Sequence, residues 1–274
     1  MPEILTLPWL VEAPTDFAER CQRLPGIKTG PGTEAQALAT FRLSASQSAK
    51  LTRRLRKMQA QQTDLSPLLQ FRLGVLASNT FDLLLDLIPA AAARHGIALE
   101  IETSAYDQVV QEALDPGSII NRSRCDAVLV AVDHRWFGLE RLRVENPAAH
   151  VAAAVQQLRC IIDALRASGG APTILQTVPV PPLQLFGSFD RRLPGTIRFM
   201  LDETNRAIGD LAADTGSYLL DVAAMAERIG TDLWFSPVHW HAYKLPFSPE
   251  CFPAYADLLG RLLGAIRGRT RKCL

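Results

Sequence analysis

Asp126-Ala127-Val128-Leu129-Val130-Ala131-Val132-Asp133-His134-Arg135 is the stretch that decides the fold. Its apolar run, 127–132, has three valines and neither glycine nor proline, and it ends abruptly in a carboxylate, an imidazole and a guanidinium. Such a run reads as a strand buried on both faces, with a polar C-terminal end. Similar strand signals occur at 72–78, 97–102, 172–178 and 217–221. Between and after them, helical patterns are expected over 81–95, 106–113, 147–168, 196–215 and 251–267, with Gly169-Gly170 closing the third of these. Short apolar strands alternating with helices imply an α/β protein with a parallel sheet covered on both faces. With right-handed crossovers, the simplest solution is a three-layer, doubly wound α/β/α sandwich on a five-stranded parallel sheet.

Residues 1–67 read differently. Pro8, Pro14, Pro25 and Pro31 punctuate a segment that then turns helical over 34–61. In its middle, Lys50-Leu51-Thr52-Arg53-Arg54-Leu55-Arg56-Lys57 sets two leucines on one face among basic residues. That stretch is either a solvated helix face or a docking surface for an acidic partner. The expected organisation is a helical segment at 1–67 and an α/β domain at 68–270, followed by Arg271-Lys272-Cys273-Leu274, an unusual ending after a helix.

Composition narrows the function classes. The 274 residues carry 29 Lys+Arg and 28 Asp+Glu, a formal net charge of +1, with 48% hydrophobic and 21% charged residues. A near-neutral globular chain offers no global field for nucleic acid or an anionic membrane, so neither is expected as a partner. The apolar runs are strand-sized, and the first residues lack a signal-peptide pattern. Cys21, Cys125, Cys160, Cys251 and Cys273 are scattered and show no CxxC. A reducing, cytoplasmic setting is therefore expected.

In open parallel sheets, ligands bind beyond the C-terminal strand ends. The first strand runs into Ser78-Asn79-Thr80, whose side chains either cap the next helix or prepare a site for an anion. No GxGxxG or GKS/GKT pattern is present. The third strand ends in Asp133-His134-Arg135-Trp136, either a binding constellation or the polar start of a loop. The segment from Asp232 to Lys244 adds His239, a candidate general base, and Lys244, a candidate anion contact or a solvated lysine. His239 and His241 lack a third ligand at motif spacing, so no metal site is expected.

The runs Phe71-Arg72-Leu73-Gly74-Val75-Leu76-Ala77-Ser78-Asn79-Thr80, Tyr106-Asp107-Gln108 and Gln111-Glu112-Ala113-Leu114-Asp115-Pro116-Gly117-Ser118 resemble the N-terminal region of FkbH-like proteins. So does Cys125-Asp126-Ala127-Val128-Leu129-Val130-Ala131-Val132-Asp133, and the stretch Arg261 to Leu274 is similar to the junction with their haloacid dehalogenase-like domain. The resemblance covers nearly the whole chain, with the motifs in order. It implies an SGNH-hydrolase-like (flavodoxin-like) α/β domain, with strand order 2-1-3-4-5, beside a haloacid dehalogenase-like phosphatase domain of which 271–274 is the expected stub. Such proteins load a glyceryl or related acyl unit onto an acyl carrier protein in polyketide or related biosynthesis. The expected partners are thus an acyl carrier protein and the phosphatase domain. Magnesium is expected only in that phosphatase domain, whose DxDxT motif would follow Lys272-Cys273-Leu274, and no cofactor is expected in this chain.

Carried over residue by residue, the SGNH pattern is only partly met. Gly-Asp-Ser aligns with Ala77-Ser78-Asn79, which puts Asn79 at the nucleophile position and Ser78 one residue early. Val132-Asp133-His134 replaces the asparagine-containing block, and Ser236-Pro237-Val238-His239 keeps the histidine without the aspartate. The resemblance thus nominates Ser78, Asn79, Asp133 and His239 as catalytic positions and Thr80, Tyr106, Gln108, His134 and Lys244 as substrate contacts. Two readings follow from it: a catalytically degenerate positioning domain, or a serine esterase or acyltransferase using Ser78 and His239. A third is a fragment without an independent role.

Overall fold

The computed structural model describes residues 3–139 and 146–269. Its strands are β1 (Leu69–Ala77), β2 (Ile97–Thr103), β3 (Ala127–Ala131), β4 (Thr173–Gln176) and β5 (Tyr218–Leu220), in the order β2-β1-β3-β4-β5. This is the expected α/β fold with a five-stranded parallel sheet. Register is set by Leu73 opposite Ala127 and Ala77 opposite Ala131, by Val128 opposite Thr173, and by Ile174 opposite Tyr218. Every residue of β3 is buried, as its unbroken apolar run requires, whereas β5 exposes Tyr218 and Leu219.

The chain forms two compact units by contact. One comprises Met1–Phe71, Phe81–Ile101 and Pro249–Leu274; the other comprises Arg72–Thr80 and Glu102–Ser248. The expected stub at 271–274 lies outside the described residues.

In the first unit, Phe17, Leu24, Leu38, Leu51, Leu55 and Met58 belong to one core cluster. A buried leucine of this kind contributes roughly 1.5–3 kcal/mol over an exposed one. The helical pattern expected over 34–61 is two helices, Pro31–Ala39 and Ala45–Ala60, preceded by Phe17–Arg23. The break has a local cause: the Ser44 hydroxyl accepts from Gln47 N–H at 3.2 Å while the Gln47 side chain accepts from Ser44 N–H at 2.8 Å. This reciprocal capping box starts a new helix. Residues 81–95 likewise divide into Asp82–Leu85 and Ile88–Arg94, with Pro89 in the first turn of the second helix, where its missing N–H costs nothing.

A buried ion pair also belongs to this unit. Arg94 donates to Asp257 Oδ1 at 2.6 Å and to the Ala39 carbonyl at 2.8 Å, and Arg261 reaches Asp257 Oδ2 at 2.8 Å. Burial pushes the Asp257 carboxyl upward, but the His95 hydrogen bond and the two guanidinium charges overcome it and hold the group well below the carboxylate range.

In the second unit, the Pro147–Ser168 and Ile197–Thr215 helices turn Leu158, Ile162, Leu165, Ile208 and Leu211 into the same cluster as Val128, Val130 and Leu175 of the strands. Asn146 and Thr196 cap these helices through side-chain oxygens. Three further helices lie where none is expected from the sequence: Val222–Ile229, whose buried Val222, Met225, Ala226 and Ile229 nonetheless follow the helical period, Thr231–Trp234, and Pro237–Tyr243. The last of them positions the candidate site.

Candidate functional site at the strand exits

Ser78 and Asn79 follow β1 and are buried, at 7% and 4% exposure. Ser78 N–H donates to the Ala131 carbonyl at 3.3 Å, so the ladder with β3 continues one residue past the strand. Neither side chain caps a helix. The Asp82–Leu85 helix has Phe81 at its N-cap and no side-chain cap, and Ser78 Oγ and Asn79 Oδ1 have no hydrogen-bond partner. At Thr80 the backbone N–H donates to the Lys244 carbonyl at 3.0 Å. The β1 exit is therefore tied directly to the segment that carries His239.

That segment is organised by Ser236, whose hydroxyl caps the Pro237–Tyr243 helix by accepting from His239 N–H at 3.4 Å. Lys244 ends the helix in the left-handed region at φ 56°, returning its N–H to the Trp240 carbonyl at 2.9 Å. Its ammonium stands 5.2 Å from the Trp240 ring centroid on an exposed side chain. The backbone of Lys244, more than its charge, connects it to the β1 exit. His239 is half-buried, and its Nδ1 has no partner.

The β3 exit is the most ordered part. Asp133 Oδ1 accepts from the backbone N–H groups of Arg135 at 3.0 Å and Trp136 at 3.3 Å, and Oδ2 accepts from the Arg135 guanidinium at 2.9 Å. That guanidinium also lies 3.7 Å from the Trp240 centroid, a stacked cation–π contact. Asp133 thus pins the loop and orients Arg135. Its neighbour His134 is 3% exposed and stands edge-on to Phe235 with ring centroids 5.8 Å apart. Burial lowers its pKa from 6.5 to about 4, assisted by the Arg135 charge and opposed by Asp133. The imidazole is therefore neutral at neutral pH, and its Nδ1 lacks a partner.

Ser104, at the β2 exit, donates its N–H to the Val75 carbonyl at 3.0 Å and keeps a buried, unpartnered hydroxyl. Tyr106 is half exposed; partial burial pushes its phenol up, with the Asp107 and Asp133 charges adding to the shift. Gln108 is exposed at the N-cap of the Val109–Leu114 helix and makes no side-chain cap.

Five buried polar atoms at these exits thus lack hydrogen-bond partners: Ser78 Oγ, Asn79 Oδ1, Ser104 Oγ, His134 Nδ1 and His239 Nδ1. A buried polar atom of this kind is costly unless a water, ion or ligand supplies its partner. Ser78 Oγ makes no bond to His239, and the Asp133 carboxylate is engaged by Arg135 and two backbone amides.

A cavity of about 500 Å³ adjoins the β3 exit, walled by His134, Arg135, Phe235, Ser236 and Trp240 together with the Pro181-Pro182 loop. Of the residues selected from sequence, only His134 stands in its wall. Arg135 belongs to the strand-end constellation that the sequence points to, but its partner Trp240, 105 residues away, and Phe235 carry no local signal. Ser104 stands at a strand exit, the position where ligands of such sheets bind. Among the described residues, no group of three or more His, Cys, Asp or Glu could hold a metal ion. None of the described helices is long and apolar enough to cross a membrane.

The family model described as the FkbH N-terminal domain matches residues 72–261. Among solved structures, the N-terminal part of the protein BF1531 from Bacteroides fragilis, containing a phosphatase domain complexed with Mg, superposes with a TM-score of 0.67 at 14% identity. That match covers 79% of this chain and 57% of the other, so the chain spans little more than half the length of this relative. A lipase/acylhydrolase from Enterococcus faecalis matches at 16% identity over 72% of this chain and 95% of that chain, with a TM-score of 0.47. A candidate SGNH hydrolase from Slackia heliotrinireducens matches at 18% identity over 71% and 97%, with a TM-score of 0.46. At these identities the likenesses concern the fold alone. No curated protein matches the chain.

Proposed function

Because the chain belongs to the FkbH N-terminal domain family, we propose that it serves FkbH-type loading of a glyceryl or related acyl unit onto an acyl carrier protein, as a positioning domain without hydrolytic activity. The observation that carries this reading is the state of the strand exits. Orphaned polar atoms there are suited to holding a ligand, while Ser78, His239 and Asp133 share no hydrogen bond that would activate a nucleophile. The cavity at His134, Arg135 and Trp240 has the size of small-molecule sites and a mixed apolar and polar wall. It would accommodate an acyl unit or the arm that carries it.

The partners in this reading are the acyl carrier protein and a haloacid dehalogenase-like phosphatase domain. The solved BF1531 fragment, which contains a phosphatase domain with magnesium, supports such an association. Magnesium would belong to that domain; this chain would need no cofactor of its own. The setting would be cytoplasmic, in keeping with free thiols at Cys21, Cys125, Cys160 and Cys251.

Two measurements test the proposal. A fluorophosphonate probe should leave the protein unlabelled; labelling that disappears in Ser78→Ala would establish the alternative, a serine esterase or acyltransferase. Pull-down with the cognate carrier protein and with the phosphatase domain should recover a complex. Recovery of neither would refute the positioning role.

A further inference from the structure

A second cavity, of about 310 Å³, lies in the other compact unit and shares no residue with the strand-exit site. It opens between the Phe17–Arg23 and Ala45–Ala60 helices and is lined by Ala18, Cys21 and Gln22 from the first, and Lys50, Arg53 and Arg54 from the second. The spacing explains the convergence. Positions 50, 53 and 54 are i, i+3 and i+4 on one helix, so their side chains rise from one face. Leu51, Leu55 and Met58 of the same helix are buried on its other side. No carboxylate is among the lining residues.

Neighbouring cations on these helices are neutralised. Arg20 pairs with Glu34 at 2.8 Å, Arg23 with Glu19, and Arg56 with Asp86 at 3.2 Å. Lys50, Arg53 and Arg54 have no ion pair among the described residues, and Lys57, at i+7, adds a fourth unpaired charge to the same face. Arg53 is partly fixed, its Nε donating to the Ala49 carbonyl at 3.3 Å, which leaves its terminal nitrogens for another acceptor. At Cys21, burial raises the thiol pKa while Arg54, Lys50 and Arg53 each pull it down.

We infer that this cavity binds a phosphate-bearing ligand, held by Lys50, Arg53 and Arg54. Two planar guanidinium groups and an ammonium around a concave site match the oxygens of a phosphomonoester. Concavity separates this from a flat basic stripe, which would serve an acidic protein surface or an anionic membrane.

The test uses the full chain and inorganic phosphate, with binding followed at low ionic strength by calorimetry and by ³¹P line width. Saturable one-to-one binding is expected, weakened at least tenfold in Lys50→Gln/Arg54→Gln and unchanged in Arg56→Gln, whose side chain lies outside the cavity. Because Arg53 is exposed, Arg53→Gln provides a second cavity variant that should fold as the parent does and also weaken binding. Absence of saturable phosphate binding, or equal binding by the cavity variants, would overturn the inference. Binding of poly-glutamate or of phosphatidylserine vesicles without saturable phosphate binding would also overturn it, in favour of a docking surface.

Discussion

Replacing His134 by phenylalanine should remove a pH dependence that burial of this imidazole builds into folding. In the unfolded chain the ring takes up a proton near pH 6.5, whereas in the folded protein its value is about 4. Between those values the unfolded state binds more protons than the folded one, so stability falls as the pH drops. Above pH 6.5 both states are neutral and the effect is absent. At ~1.4 kcal/mol per pH unit, lowering the pKa from 6.5 to about 4 amounts to about 3 kcal/mol, reached near the lower value. Phenylalanine keeps an aromatic ring edge-on to Phe235 and cannot titrate. Urea unfolding of both proteins from pH 7.5 down to pH 4.5, followed by tryptophan fluorescence, should show a stability difference that shifts steadily in favour of the variant as the pH falls. Contributions from the many carboxylates are common to both proteins and cancel in that difference. Histidine Cε1–H resonances give the ring's pKa directly. A ring titrating near 6.5 in the folded protein, or parallel pH profiles for the two proteins, would refute the reasoning.

Other substitutions probe the two units separately. Asp257→Asn leaves the Arg94 guanidinium buried without its counter-charge and should cost about 3–5 kcal/mol in urea unfolding. Since the Asp257 carboxyl is held below its unfolded value, its stabilisation is full above pH 4 and fades as the pH falls through the folded value, so the difference from Asp257→Asn should shrink in acid. Gly32→Ala would place a methyl carbon 1.9 Å from the Leu65 carbonyl oxygen, so backbone must move; a loss of about 3 kcal/mol is expected in thermal unfolding. Trp234→Ala removes a ring that is 1% exposed and stacked on Phe247 at 4.3 Å, and should destabilise the second unit by about 3–5 kcal/mol with loss of near-ultraviolet circular dichroism.

The strand-exit site was only half legible from sequence. Ser78, Asn79, Asp133, His134 and His239 could be selected because exits of parallel strands are where ligands bind, and each stands at or near such an exit or in a polar cluster. Their relations could not be read in the same way. Asp133 serves as the clamp of Arg135, and Lys244 meets the β1 exit through its carbonyl oxygen. The Lys244 contact depends on which backbone groups the fold brings into reach, and side-chain identity does not encode that.

The sequence by itself determined the α/β class, the five strands of a doubly wound sheet and the span of its strongest helix, Pro147–Ser168. Continuous apolar runs, alternation with helices and the handedness of crossovers are local or general constraints, and few sheets satisfy them together. Tertiary structure alone decided the stacking of Arg135 on Trp240 and the joining of the β1 exit to Lys244 through its carbonyl. It also decided that Lys50, Arg53 and Arg54, read from sequence as a basic stretch, face a cavity while Arg56 beside them is neutralised by Asp86. Burial, charge pairing and cavity shape belong to contacts between residues far apart in the chain, and those contacts exist only once the chain has folded.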